Sequence, residues 1–292
     1  MTTPEKRNLR NGLLFVAPWI VGFGGFLLYP IGQSLYWSFC EYSVLQPAQW
    51  TGLDNYRDLV TDEVFWKALA NTLVYAAFAL PLGLIVSLSL AILLNTGVRG
   101  MAIFRTIFFL PALVPMVALA IIWLWLFNGE YGVLNQCLAV VGISGPPWLS
   151  DPSWAKPALT LMSAWSVGHA MVIYLAHLQD VPMELYEAAE IDGAGYFRKL
   201  RHITLPLISP VILFNLVMGI IGTLQFFAVP YVISPDGSPA RSIYFVTMYL
   251  YDNAFPYLRM GYACSMAWIL FLLIFGLTML ALRLSRRYVH YA

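Results

Sequence analysis

Charge is scarce in this sequence. Of its 292 residues 11% are Asp, Glu, Lys or Arg, 60% are hydrophobic, and the mean hydropathy is +0.72, whereas a soluble domain carries about a quarter charged residues. A chain this poor in polar surface cannot stay dissolved in water and belongs in a bilayer. With a net charge of +1 there is no basic face able to neutralise many phosphates, which excludes a nucleic-acid partner. Cysteine is nearly absent as well. Cys40, Cys137 and Cys264 are far apart, odd in number and without metal-ligand spacing, so they read as three unrelated small residues. None of Lys6, Lys67, Lys156 or Lys199 sits in a G-x4-G-K-[ST] segment, so the chain has no P-loop of its own.

Long apolar runs take the place of charge. A span needs about 20 predominantly apolar residues, and six stretches qualify: 12–39, 71–95, 104–127, 156–178, 207–232 and 261–282. The first follows Lys6, Arg7 and Arg10 but is far longer than the roughly 7–15 residues of a signal-peptide core, so it is expected to be a retained span. Lys and Arg favour one alternating set of connections by eleven to five, which predicts cytoplasmic termini and a cytoplasmic 178–206 connection. In the other set stand Glu41, Asp54, Asp58, Asp62 and Glu63. Trp19, Tyr29, Trp37, Trp123 and Trp125 near span ends suit an interfacial belt, with plain helix packing as the alternative for some of them. No span carries Asp, Glu, Lys or Arg near its middle; His169 and His177 are the candidates there, and His177 lies toward the cytoplasmic end. Ion-coupled carriers usually keep an ionisable group at membrane depth, so energy for uphill transport is expected to enter from outside the bilayer.

The cytoplasmic connection holds the most specific pattern, from Pro182-Met-Glu-Leu-Tyr-Glu-Ala-Ala-Glu-Ile-Asp-Gly193 through to Leu205-Pro206. Pro182 fits a first helical turn, and Glu184 and Glu187 favour the positive end of the helix dipole. Gly193 can take the left-handed conformation that stops a helix. Ala188 and Ala189 keep one side low, so that another surface can approach.

This segment resembles the EAA loop of permeases from binding-protein-dependent ABC importers, E-A-A-x3-G-x9-I-x-L-P: Glu187, Ala188, Ala189, Gly193, Ile203, Leu205 and Pro206 fill every fixed position. Phe15-Val-Ala-Pro-Trp19, Tyr29-Pro30, Gly52-Leu-Asp-Asn-Tyr56, Asn71-Thr72, Arg105, Phe109-Leu-Pro111 and Gly132-Val-Leu-Asn135 are similar to the maltose/lactose/glycerol-phosphate branch, so the resemblance covers nearly the whole chain. It implies an all-α polytopic protein of type I importer architecture in the bacterial inner membrane. The cytoplasmic N-terminus would span 1–11, a six-helix permease domain 12–282 with the coupling loop at 182–206, and a cytoplasmic tail 283–292. It also implies a second homologous permease, two ATPase subunits that use ATP and Mg, and an external solute-binding protein. The chain itself would bind no cofactor and catalyse nothing; its cargo would be a sugar or sugar-like solute. Glu187 would pair with a basic residue of the ATPase, whose closure would rock the spans as rigid bodies.

A path lining is expected on the fourth and fifth spans. Asn215, Gly219, Gly222, Thr223 and Phe226 form one helical stripe with Gln225 beside it, and Trp165, Ser166 and His169 lie on the fourth. Hydrogen-bonding side chains combined with flat aromatic faces suit a sugar, although ordinary helix packing also uses Gly, Ser and Thr. Of the rival readings, a channel gives no reason for the EAA spacing. Gly142-Ile-Ser-Gly145 is similar to the G-x-S-G of intramembrane serine proteases, but Pro146-Pro147 follow at once and the sixth span has no His to serve as base.

Overall fold

The computed structural model describes residues 3–96 and 98–286, with side chains from Arg7 onward. The Lys6 side chain and Arg287, both counted toward the orientation, lie outside the described residues, as do residues 287–292 of the expected tail.

Helices dominate. In order they are α1 (Thr3–Phe23), joined through a π-turn at Gly24–Leu28 to α2 (Tyr29–Ser38), then a hairpin of β1 (Cys40–Ser43) and β2 (Gln46–Trp50), α3 (Asp54–Thr61) and α4 (Glu63–Leu94). Next come α5 (Met101–Phe109), a 3-10 turn at Leu110–Leu113, α6 (Met116–Leu126), α7 (Val133–Val140), α8 (Pro152–Trp165), α9 (Gly168–Gln179) and α10 (Met183–Ile191). After α11 (Tyr196–Lys199) a second π-turn at Leu200–Thr204 leads into α12 (Leu205–Leu207), α13 (Ser209–Leu224), α14 (Ala228–Ile233), α15 (Val246–Ala254) and α16 (Met260–Ser285).

Four helical stretches are long and apolar enough to cross a membrane unaided: Arg7–Ser38, Glu63–Leu94, Ser209–Ile233 and Met260–Ser285. The third and fourth expected spans are instead bent pairs, α5 with α6 at 99° and α8 with α9 at 43°. The first break has a sequence cause: Pro115 lacks an N–H and pushes Val114 to extended backbone (φ −70°, ψ 127°). The second falls at Ser166–Val167, beside a close approach. A Cβ on Gly168 would stand 2.9 Å from Ala112 Cβ and 3.1 Å from Phe109 Cα.

Two of the helix ends are capped by side chains. The Asp151 carboxylate accepts from Ser153 N at 2.7 Å with Pro152 in the first turn of α8. Arg105 Nε and Nη2 donate to the Leu94 carbonyl at the end of α4, at 3.3 and 3.0 Å.

The chain divides into two units, 1–62 with 250–269, and 63–249 with 270–292. In the first unit the hairpin pairs Cys40 with Trp50 and Glu41 with Gln49. It is tied down by the Gly52–Tyr56 motif: Asn55 Nδ2 donates to the Ser38 and Cys40 carbonyls (3.0 and 2.8 Å), and Tyr56 OH donates to Ser38 Oγ at 2.8 Å. At the start of α16 the backbone of Gly261 lies directly against that of Cys40. The apolar stretch of α1 and α2 buries none of its spanning window.

In the second unit α4 packs along α8, α9 and α13. A buried cluster that includes Ala91, Leu94, Tyr174, Leu178, Ile208 and Val211 joins three of these helices. In lipid such contacts hold helices by close packing rather than by escape from water. Trp123, expected in the interfacial belt, is 7% exposed and tilted on Phe127 at 4.8 Å; it is a packing residue.

Candidate functional site

The 182–206 connection is held together by local bonds. Gly193 has φ +71° and closes α10 with the paired bonds of a Schellman motif, Ala194 N to Ala189 O at 2.8 Å and Gly193 N to Glu190 O at 3.0 Å. Pro182 stands one place earlier than the sequence suggested, preceding the first helical residue as the N-cap (φ −58°, ψ 128°).

Two side-chain bridges fix α10 to the segment that leads into the fifth span. The Tyr186 hydroxyl is hydrogen-bonded to Thr204 Oγ1 at 2.9 Å, and Lys199 Nζ pairs with Glu190 Oε1 at 2.7 Å. The hydrogen bond from Lys199, and then its charge, hold the Glu190 carboxyl below the usual range. A depressed carboxylate stabilises the fold above its unfolded pKa, and that contribution is lost as the pH falls through the folded one. Replacing Lys199 by Met should therefore loosen α10 modestly. Hydrogen exchange over 183–192 is expected to quicken a few-fold at neutral pH, about what an exposed ion pair is worth, and no change there would remove the bridge from the account.

Glu187 and Ala188 are exposed and Ala189 is half-buried. Glu187 makes no hydrogen bond or ion pair among the described residues, so its carboxylate is presented outward. One turn to either side of it on α10 stand the exposed apolar side chains of Met183 (69%) and Ile191 (89%), and Phe197 on α11 is exposed as well (81%). Leu205 packs against the buried cluster of the spans, Ile203 and Pro206 are half-buried beside it, and Thr204 is buried. Bonded and packed neighbours thus connect α10 to the span core.

A cavity of about 390 Å³ lies among α4, α8, α9 and α13. Of the residues expected to line a path, His169, Asn215, Gly219 and Thr223 line it, together with Ser87, Ser163, Phe214 and Met218. Each small polar group here donates to its own helix. Asn215 Nδ2 reaches Val211 O (3.0 Å), Thr223 Oγ1 reaches Gly219 O (2.8 Å), Ser87 Oγ reaches Gly83 O (2.6 Å) and Ser163 Oγ reaches Thr160 O (2.7 Å). With those protons engaged, the oxygens remain acceptors.

Trp165, Ser166, Gln225 and Phe226 lie outside this cavity. Trp165 meets Trp123 edge-on at 5.8 Å, and Phe226 stacks on Tyr75 at 4.8 Å. Ser166 caps the C-terminus of α8, and Gln225, exposed, ends α13. Sequence reasoning misses Ser87 and Ser163, because a lone Ser in an apolar helix carries no distinguishing signal.

A bundle of apolar and bent spans with a rigid acidic helix on one connection defines a multi-pass membrane permease subunit. The chain belongs to the family described as "Binding-protein-dependent transport system inner membrane component", which matches residues 45–290. It is 39% identical over 291 residues to the "Probable ABC transporter permease protein YesP" of Bacillus subtilis, covering 98% of this chain and 94% of that one. Against the "Lactose transport system permease protein LacF" of Rhizobium radiobacter it is 35% identical, covering 98% and 99%. Among solved structures it is similar to a chain of a bacterial alginate ABC transporter in complex with alginate pentasaccharide-bound periplasmic protein (TM-score 0.85, 25% identity, 97% and 96% covered).

Proposed function

We propose that this permease forms half of the translocation path for a sugar or sugar-like solute, and that ATP hydrolysis by a separate subunit drives it through α10. The observation that carries the reading is the outward carboxylate of Glu187 on a helix bridged to the fifth span by Tyr186–Thr204 and Glu190–Lys199. In this reading ATP and Mg belong to two ATPase partners, a homologous permease completes the path, and a solute-binding protein delivers cargo on the opposite face. The termini and α10 face the cytoplasm, in keeping with the bias of Lys and Arg.

A sugar is favoured by the lactose and alginate named for two relatives, and by the chemistry of the cavity. Acceptor oxygens from Ser87, Ser163, Asn215 and Thr223 match a ligand rich in hydroxyl donors, and the apolar walls match its C–H faces. Trp165 and Gln225 would meet the solute beyond the cavity.

The test is uptake by His169→Leu and Gln225→Leu variants. Each is expected to slow solute-stimulated transport about tenfold, as for one hydrogen bond to cargo, with assembly intact. Loss of assembly in parallel would assign these residues to packing instead.

A further inference from the structure

Lys156 and Asn71 form a bonded node that the path and the coupling loop leave unused. Asn71 sits on α4, and its Nδ2 donates to the carbonyls of Arg241 (2.8 Å) and Tyr244 (3.0 Å). Its Oδ1 accepts from Lys156 Nζ of α8 at 3.0 Å, and the same ammonium donates to Ser242 O at 2.9 Å. The adjacent Thr72 Oγ1 accepts from Val246 N at 3.1 Å. Four hydrogen bonds thus pin residues 241–246 to two spans, and a fifth, Lys156 to Asn71, ties the spans to each other.

The pinned segment in turn holds the end of the fifth span. Thr247 Oγ1 donates to Phe226 O at 2.7 Å, and Phe245 meets both Tyr75 (5.4 Å) and Phe226 (6.0 Å). These contacts fix the break at 225–227, where Gln225 is exposed. The Asn71-Thr72 pair noted in the sequence thereby gains a physical role.

We infer that Lys156 and Asn71 are positioning residues, a latch that holds the 241–247 segment closed over the end of the path away from α10. The inference rests on the importer reading above. The residue types suit the task. An ammonium on a flexible stem can serve two acceptors from one helix, and a carboxamide alone supplies two donors and an acceptor at one point. The acceptors are neutral, so among the described residues no counter-charge holds the latch shut permanently. When ATPase closure shifts α8 relative to α4, the segment bonded to both must yield. Its bonds therefore oppose the transition until cargo arrives.

The experiment uses the complete transporter in nanodiscs, without solute or binding protein. Lys156→Met keeps the stem and removes the donors; Asn71→Ala removes the hub. Both are expected to raise basal ATP hydrolysis about tenfold, as for loss of a hydrogen bond to a charged group. Trypsin should cut after Arg241 faster by a similar factor, and Lys156→Arg should restore both values. Damage to folding lowers hydrolysis, so a rise is not a symptom of instability. Basal hydrolysis unchanged or reduced in Lys156→Met, whatever the rate of cutting, would overturn the latch. If the wild-type chain purifies with no ATP-hydrolysing subunit, the importer reading falls instead.

Discussion

Exchanging Glu187 for Lys together with Gly193 for Asp is expected to abolish ATP-driven uptake while leaving the chain in the membrane. Glu187 is exposed and has no partner among the described residues, so its loss costs no internal contact. Burying it against a basic residue of an ATPase and then reversing its sign would cost about 2–5 kcal/mol, roughly 30- to 4000-fold in affinity. Gly193 adds a second fault. At φ +71° a side chain strains the backbone by about 1–2 kcal/mol, which loosens the Schellman closure that orients α10. Uptake in cells and recovery of the ATPase with the purified chain are the measurements. Unchanged uptake would remove α10 from the drive train.

Replacing Gly261 by Val is expected to destabilise the first unit by about 3 kcal/mol, the upper end for an overpacked site. A Cβ there would fall onto the Cys40 carbonyl oxygen and within 3.1 Å of Trp37 O and Tyr42 N. All three are backbone atoms. Tyr42 belongs to the hairpin and Trp37 to the preceding helix, and neither can swing aside as a side chain would. The hairpin must then leave α16, together with the Asn55 and Tyr56 bonds that close it. Thermal denaturation of the purified chain reads this directly, and an unaltered midpoint would show that the approach is looser than these distances imply.

The sequence exposed the spans because a bilayer demands about 20 apolar residues in a row, a signal no side-chain detail can blur. Breaks within spans were harder to see. Pro115 announces the 99° bend, but the bend at Ser166 depends on how closely Gly168 approaches Ala112, a contact between distant residues. The start of α4 at Glu63 also precedes the apolar run at 71, since its first turns carry charge. The end of α10 was legible because stop signals are local chemistry: Gly193 closes the helix as its residue type required. The cavity lining was legible only in part. His169, Asn215 and Thr223 converge on one cavity, whereas Phe226 and Trp165 are taken up by aromatic partners that no spacing reveals.

The π-turn at Leu200–Thr204, closed by Leu205 N to Leu200 O, makes the stretch after Gly193 a geared shaft rather than a tether. Each residue of a helix advances azimuth by about 100°, so the nine positions between Gly193 and Ile203 set the direction in which α10 faces. Deleting one of them would shorten the chain trivially. It would also swing Glu187 round the shaft and carry Tyr186 away from Thr204, as a skipped tooth mistimes an engine whose parts are all intact.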